Sequence, residues 1–392
     1  MHRLNKILIF LYPIFLGLPD VSLSLPQINL RVDDIVIYLL LIINIKGFHK
    51  KFYTPIKFYK ILKLLLGLAF ISLLLAVLMG NEPSTYEVLK GVGSLPYLIV
   101  LPFIFFHSKY RNVFLKACIL GLILFLYGVY KNYSNTDLLL DSLTKSSQIK
   151  TGLSFSTLNP NAVSLIGIIF SYFLFIGYFT SRKKYFLVAG FIGLMIPFFT
   201  FSRGFSFGII ISLFLFFGLR KRYRVISIGL IIVVSLGVVQ VLESNNALIK
   251  NATNINVETG EGFSNRYTLW KQGLEIIARS PLGNGFATSA FLYKKYYNGH
   301  VSHNILIHTA IELGIIGLII YLSMIFFIIK NKFRLYRKTK NELFLLQLSL
   351  FIGIFISDMS GQELYFNKYA FIIFLISVFE LPLKQENIKR IV

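Results

Sequence analysis

The chain has 392 residues, of which 55% are hydrophobic and 15% are charged, and its mean hydropathy is +0.69. A soluble protein carries about 25% charged residues, so the composition excludes an ordinary soluble domain and predicts an all-α, polytopic integral membrane protein. The formal net charge of +23 would suggest a nucleic-acid partner in a soluble protein, but the loop charges described below explain it by membrane topology, so no nucleic acid is expected.

Apolar segments recur along the whole chain, and a helix needs about 20 such residues to cross a bilayer. Candidate spans lie at residues 4–19, 34–46, 61–80, 88–106, 113–130, 162–180, 185–200, 204–219, 225–242, 303–329, 343–357 and 366–382. The first span follows basic residues as a signal peptide does, but no small-residue cleavage pattern follows it, so a retained span is predicted. The sequence therefore predicts a single membrane domain over residues 1–392 with about 12 transmembrane helices.

The Lys and Arg residues are concentrated in alternate loops. One set of alternate loops includes both termini and holds 26 of the 40 basic residues but only one acidic residue. The other set of loops holds 12 basic and 13 acidic residues. Because cytoplasmic loops are enriched in Lys and Arg, both termini are predicted to be cytoplasmic and the second set of loops external. Two external loops are long, residues 131–161 and residues 243–302, and the second is predicted to be partly helical.

An amphipathic helix is predicted in the second long loop. Ser264 is a typical N-cap residue at its start, and Pro281 and Gly283 mark its end. One face of this helix carries residues at the spacing i, i+4, i+7 and i+11, namely Arg266, Trp270, Gly273 and Ile277.

Four short motifs are predicted to lie together on the external side. They are Ser202-Arg203-Gly204, Arg266-x₃-Trp270, the segment PLGNG at 281–285, and His303-Asn304-x₉-Gly314-x₂-Gly317. Arg203 lies between two spans with no acidic residue nearby in the sequence. Such an arginine either extends to the membrane interface or marks a site for an anion, and its planar guanidinium group suits phosphate.

The second motif also allows two interpretations. Arg266 and Trp270 form the basic and aromatic rim of an interfacial helix, or Arg266 binds phosphate and Trp270 forms a wall of the pocket. The downstream cluster of Tyr293, Tyr296 and Tyr297 either stacks on sugar rings or belongs to an aromatic belt, with Tyr296 as the candidate sugar contact.

His303 is the candidate general base, because an unperturbed imidazole has a pKa of about 6.5 and exchanges protons near neutral pH. Asn304 beside it is a candidate pocket residue, while His300 and His308 lie close enough in sequence to compete for the role. Glu312 lies roughly 13 Å further along the predicted helix. A carboxylate at that depth is either a structural hydrogen-bond hub or a functional group.

Several motifs are absent from the sequence. No external loop has an Asp-x-Asp pair or a His/Cys/Asp cluster with metal-ligand spacing, no Walker-type glycine-rich loop occurs, and no Gly-x-Ser-x-Gly motif occurs. We therefore expect no dedicated metal site, no cofactor, no ATP-driven transport and no acyl transfer.

The order and spacing of the four motifs resemble those of the O-antigen ligase and O-antigen polymerase superfamily. The resemblance covers about residues 155–330 and depends on four strings in this order: TFSRG after a span, Arg-x₃-Trp, PLGNG, and His-Asn-x₉-Gly-x₂-Gly with an intervening Glu-Leu-Gly. The resemblance implies a GT-C-like membrane glycosyltransferase of a bacterial inner membrane, with its active site on the periplasmic side. Its implied donor is a glycan on undecaprenyl diphosphate.

The resemblance also implies roles for individual residues. Arg203 and Arg266 would hold the diphosphate, with Arg279 as a weaker third cation, and His303 would act as general base on the acceptor hydroxyl. Two guanidinium groups could stabilise the leaving diphosphate without a metal, and attack opposite the leaving group predicts inversion. Glu312 is expected to be structural, with a functional role left open. The same expectation holds for three glycines of the last two motifs, Gly283, Gly285 and Gly314.

Residues that bind the donor do not identify the acceptor. A polymerase is preferred because nothing in the chain suggests a domain dedicated to lipid A–core or to a protein acceptor. A ligase that transfers the glycan to lipid A–core, and a protein-glycosylating relative, remain alternatives. A transporter or flippase for the same lipid-linked sugars is less favoured, because the candidate residues gather at one face rather than at the bilayer midplane. Membrane lipid and a chain-length regulator are further expected partners.

Overall fold

The structure, a computed structural model, describes residues 2–18, 22–25, 28–44, 56–134, 160–199, 203–220, 266–297, 301–302, 304–358 and 368–378. A short antiparallel hairpin follows the first helix, with β1 (Ser22–Leu25) paired to β2 (Ile28–Arg31). The described helices are α1 (His2–Leu16), α2 (Val32–Asn44), α3 (Ile56–Leu78), α4 (Thr85–Ser94), α5 (Tyr97–Phe106), α6 (Ser108–Ser134), α7 (Pro160–Ser181), α8 (Lys184–Phe199), α9 (Arg203–Gly218), α10 (Arg266–Arg279), α11 (Ser289–Tyr297), α12 (Ile305–Thr339), α13 (Glu342–Asp358) and α14 (Lys368–Val378).

The predicted spans fall on these helices, except for the span at 225–242, which lies outside the described residues. Within the described residues, five stretches are long and apolar enough to cross a membrane: Lys60–Leu78, Glu87–Phe105, Ser108–Lys131, Asn161–Ser181 and Ile305–Thr339. Shorter apolar helices cover Lys184–Phe198, Gly204–Gly218 and Glu342–Ser357. The prediction of an all-α membrane protein is thus confirmed, apart from the small hairpin, whereas the number of twelve spans stays a prediction.

The predicted span at 88–106 is two helices rather than one. α4 ends where the amide of Leu95 donates to the carbonyl of Val92 in a tight turn. Pro96 follows, and because proline has no amide hydrogen it cannot continue the hydrogen-bond ladder. α5 then begins at Tyr97.

The two predicted external loops are only partly covered by the described residues. α6 extends to Ser134 and α7 begins at Pro160, so both ends of the predicted loop 131–161 are helical. The second loop contains α10 and α11, which confirms that it is partly helical. Its predicted N-cap, Ser264, lies outside the described residues.

α7 forms the centre of the bundle. Its apolar window is 89% buried, whereas that of α3 is 22% buried and belongs to the periphery. Aromatic rings fill the space around α7, with the ring of Phe173 centred 4.7 Å from Phe114 and 5.4 Å from Phe105. Such edge-to-face and tilted ring contacts are favourable in close-packed interiors.

Small residues bring α9 and α13 into close contact. A Cβ atom added to Gly208 would lie 2.4 Å from the carbonyl oxygen of Gly353, and one added to Gly353 would lie 2.1 Å from the carbonyl oxygen of Gly208. Ser357 donates to the carbonyl of Gly204 at 2.8 Å. Close backbone approach at small residues is typical of helix pairs in membranes, and it anchors the helix that begins at Arg203.

Candidate functional site

The start of α12 is fixed by the asparagine of the His-Asn pair. Asn304 has an extended backbone, and its Oδ1 accepts from the amides of Leu306 at 3.0 Å and Ile307 at 3.3 Å. These bonds satisfy two amides that a helix start otherwise leaves unpaired. Asn304 is buried and is the N-cap of α12, while its predicted contact with a sugar stays a prediction.

The indole of Trp270 holds the segment immediately before residue 303. Its Nε1 donates to the carbonyl of Ser302 at 2.9 Å, across the gap between α10 and the start of α12. Ser302 is itself fully buried. The backbone on both sides of residue 303 is therefore fixed, on one side by Trp270 and on the other by the helix cap at Asn304.

Two of the predicted ligand-binding residues are the first residues of helices, but their side chains lie outside the described part of the chain. Arg203 is the first residue of α9 and Arg266 is the first residue of α10, but nothing is described of either side chain. His303 lies outside the described residues altogether. Their predicted roles stay predictions.

Gly273 lets α10 lie close against α12. A Cβ atom added there would lie 2.4 Å from Cγ2 of Ile307 and 2.4 Å from the hydroxyl of Tyr293. That hydroxyl donates to the carbonyl of Leu269 at 2.7 Å and ties α11 to α10. Burial raises the pKa of Tyr293 well above its ordinary value, so the phenol stays neutral.

The segment PLGNG at 281–285 lies in a break of α12. Gly314 interrupts the helix with φ 71° and ψ −177°, a backbone conformation that is essentially restricted to glycine. Gly283 also has a positive φ of 98°, and a Cβ atom added to it would lie 2.7 Å from both the carbonyl oxygen of Glu312 and the amide nitrogen of Gly314. The two backbones are thus in direct contact.

Hydrogen bonds join the segment to the helix just before the break. The amide of Asn284 donates to the carbonyl of Ile311 at 2.9 Å, and the amide of Gly285 donates to the carbonyl of Glu312 at 3.1 Å. The side-chain amide of Asn284 adds a bond to the same carbonyl of Ile311 at 3.1 Å. The segment therefore supplies donors to carbonyls at the end of the first helical stretch, where partners within the helix run out.

One amide of the helix also donates a hydrogen bond to the segment. In a continuous helix the amide of Ile315 would bond to the carbonyl of Ile311, but here it donates to the carbonyl of Pro281 at 2.9 Å. Together these bonds form an interlock, which we define as residues 281–285 together with residues 311–315.

α3 and the connection to α4 close the interlock from another side. Ser72 donates to the carbonyl of Glu312 at 3.0 Å, and the side-chain amide of Asn81 donates to the carbonyl of Asn284 at 2.8 Å. A Cβ atom added to Gly285 would lie 2.1 Å from Cβ of Ala76. Gly285 is therefore required for the close contact between the segment and α3.

The side chain of Glu312 contacts α11 and an earlier turn of its own helix. Its Oε1 accepts from the amide of Ser289 at 3.2 Å and lies 3.1 Å from Nε2 of His308, one turn earlier on α12. Glu312 and His308 are each 2% exposed. Glu87, in the first turn of α4, brings a second carboxylate to the same group.

Arg279 and Tyr296 contact each other. The guanidinium carbon of Arg279 lies 4.9 Å from the centre of the Tyr296 ring, a cation–π contact at an exposed position. The neighbouring Tyr297 donates to the carboxylate of Glu275 at 2.5 Å, and this hydrogen bond raises the pKa of Tyr297. The predicted third cation and the predicted sugar contact are thus close enough to act on one ligand.

A cavity of about 290 Å³ with an almost wholly apolar lining lies beside the interlock. α3, α4 and α12 surround it, and Phe286 connects it to the segment 281–285. Residues that line it include Leu66, Phe70, Val92, Phe286, Tyr321 and Met324.

Glu87 and Ser289 were missed by the sequence analysis. Glu87 lies far along the chain from the last two motifs, and no local pattern connects it to His308 or Glu312. The spacing of His308 and Glu312, four residues apart on a helix, was a visible signal for a contact between them.

These helices define a multi-pass membrane protein in which three of the four motifs meet around α12. Residues 188–322 match the sequence profile of the O-antigen ligase family. This match confirms the resemblance to the O-antigen ligase and polymerase superfamily, and it supports a glycosyltransferase-like membrane enzyme. It spans the interlock and the start of α12. Among curated proteins, none matches the sequence of the chain.

Proposed function

We propose that the protein polymerises oligosaccharide repeat units carried on undecaprenyl diphosphate into O-antigen or a related surface polysaccharide. The reaction takes place on the outer face of the bacterial inner membrane. The chain crosses this membrane about twelve times in a GT-C-like arrangement, with both termini in the cytoplasm. Residues 131–161 and 243–302 are its long external loops within one membrane domain.

One observation carries the proposal: three of the four motifs belong to a single hydrogen-bonded unit. Trp270 bonds to Ser302, and the segment 281–285 bonds to α12 on both sides of its break at Gly314. Trp270 lies one helical turn, about 6 Å, from Arg266. Arg266 therefore starts from a backbone position near Ser302, the residue that precedes His303 in the sequence.

The reaction follows from the groups that this unit carries. His303 takes the proton from an acceptor hydroxyl, whose oxygen forms a bond to the anomeric carbon of the donor sugar. The bond between that carbon and the diphosphate oxygen breaks, and the electron pair leaves with undecaprenyl diphosphate. Attack opposite the leaving group inverts the configuration at the anomeric carbon.

Arginine side chains stabilise the leaving group in this scheme. Arg203 and Arg266 bind the diphosphate, and Arg279, stacked on Tyr296, is a third and weaker cation near the pocket. Donors that are already oriented where negative charge develops lower the barrier most in a water-poor site. No metal is needed at the diphosphate, and no cofactor takes part.

The apolar cavity beside Phe286 suits part of the isoprenoid chain of the donor. It borders α3, which is the most exposed of the long apolar helices, so lipid can enter it from the membrane. The donor diphosphate would then lie next to the segment 281–285, with the isoprenoid chain in the cavity.

A ligase that transfers the glycan to lipid A–core is the second candidate, and the description of the matched family favours it. A deletion strain separates the two, with the same strain complemented with the gene as the control. Loss of a polymerase leaves surface lipid A–core that carries a single repeat unit, whereas loss of a ligase leaves lipid A–core without any repeat. Normal surface glycan in the deletion strain would contradict both functions.

A further inference from the structure

Three potential metal-ligating side chains from distant parts of the sequence converge next to the interlock. Glu87, His308 and Glu312 each offer one ligand atom, and these atoms all lie within 4.8 Å of one another. His308 and Glu312 are each 2% exposed, and Glu87 is half-buried. The proposed transfer reaction uses none of the three.

The charges of this cluster favour a bound cation. Two carboxylates at such short separation repel each other, and the repulsion grows in a poorly solvated interior. A protonated His308 would balance one of them and leave one negative charge. A neutral imidazole, two carboxylates and a divalent ion together sum to zero charge.

The cluster is anchored on packed elements before any ion binds. Oε1 of Glu312 is fixed by the amide of Ser289 at 3.2 Å, and His308 lies 3.1 Å away on the same helix. Glu87 belongs to the first turn of α4, where its amide donates to the N-cap hydroxyl of Ser84. Ligands on helices that are themselves anchored are typical of built sites.

A buried hydroxyl next to the cluster supports the same conclusion. Ser289 is fully buried, and among the described residues its Oγ has no hydrogen-bond partner. The backbone amide of the same residue contacts the carboxylate of Glu312. A water molecule completing the coordination of an ion would give this hydroxyl a partner, whereas buried hydroxyls without one are costly.

We infer that Glu87, His308 and Glu312 bind a divalent transition-metal ion of the zinc type. One imidazole nitrogen and two carboxylate oxygens suit zinc, which commonly takes three protein ligands and a water molecule. Zinc–ligand distances of about 2.0–2.2 Å would draw the three atoms to roughly 3.3 Å from one another, a small adjustment for glutamate side chains. The ion joins α4 to the broken helix α12 and takes no part in the transfer step.

The test measures metal content and needs no glycosyl transfer, so its failure is distinct from failure of the proposed function. The full chain, purified in detergent, is stripped with a chelator, dialysed against micromolar zinc and analysed by mass spectrometry for metals. We expect about one zinc ion per chain for the wild type. Glu87→Gln should weaken zinc binding by more than about tenfold, while the matched Glu82→Gln, at an exposed position just before α4, should retain it.

A second measurement covers variants that fold poorly. Zinc should raise the thermal unfolding temperature of the stripped wild-type protein and leave that of Glu87→Gln and Glu312→Gln unchanged. No retained zinc in the wild type, or equal retention in the wild type and Glu87→Gln, would show that the cluster shares protons only and would overturn the inference.

Discussion

The backbones of Gly283 and Gly314 lie directly against each other, although the two residues belong to different motifs. A side chain at either position would meet the main chain of the other motif within 3 Å. The PLGNG segment and the Glu-Leu-Gly of α12 are thus two halves of one structure. This contact explains why glycines recur in both motifs: each adopts a positive φ, and each leaves room for the opposing backbone.

Replacing Gly314 by alanine should disrupt the interlock. Its backbone conformation is strained for any other residue, and the new Cβ atom would lie 2.4 Å from the carbonyl carbon of Leu282. We expect a loss of about 2 kcal/mol in the free energy of unfolding and a lower thermal unfolding temperature in detergent. Gly67→Ala is the matched control, because a Cβ atom there meets nothing within 4 Å. Equal unfolding temperatures for the two variants would contradict the interlock.

Removing the indole donor of Trp270 should slow transfer without unfolding the protein. Trp270→Phe keeps a ring in place but loses the bond to the carbonyl of Ser302, which contributes about 0.5–1.5 kcal/mol. We therefore expect glycan transfer to fall by roughly twofold to tenfold. Tyr267→Phe on the same helix, where the side chain is exposed, should change nothing. A Trp270→Phe protein with wild-type transfer would show that the backbone before residue 303 needs no such support.

The cap at Asn304 can be tested by its acceptor atom. Asn304→Ala leaves the amides of Leu306 and Ile307 without a partner and should destabilise the protein by about 1 kcal/mol. Asn304→Asp retains an acceptor at the same position and should lose much less. The comparison uses thermal unfolding in detergent. Similar losses of stability in both variants would mean that the side chain of Asn304 stabilises the protein by something other than capping.

Arg279 should matter less than Arg266. Its guanidinium group already packs on the ring of Tyr296 at an exposed position, so its replacement removes a weak and solvated contribution. Arg266→Gln should lower transfer by about 100-fold, as expected for the loss of one donor to a developing negative charge, and Arg279→Gln by only a few-fold. A larger effect at Arg279 would reverse the order of the two cations.

Much of the fold could be predicted from the sequence, because runs of apolar residues specify helices locally. The span at 88–106 was predicted as an apolar stretch, but its division into two helices at Pro96 was not. The helix α10 was predicted from its periodicity, whereas the close approach of α12 at Gly273 was not.

The interlock could not be predicted, although both of its motifs were recognised. Its hydrogen bonds join residues that are distant in sequence, such as Asn284 and Ile311, and no local pattern specifies which carbonyl meets which amide. For the same reason, the proximity of Glu87 to His308 and Glu312 could not be predicted, because it exists only when α4 and α12 are packed together.

Extension of a lipid-linked repeat unit by the purified protein tests the central claim most directly. The reaction is run in detergent without ATP and without added divalent metal, and the products are separated by chain length. Wild-type protein should form chains of two or more repeats, while Arg203→Ala, Arg266→Ala and His303→Ala should each abolish them. Wild-type chain lengths from any of the three variants would contradict the assigned roles, and a requirement for ATP would contradict the reaction itself.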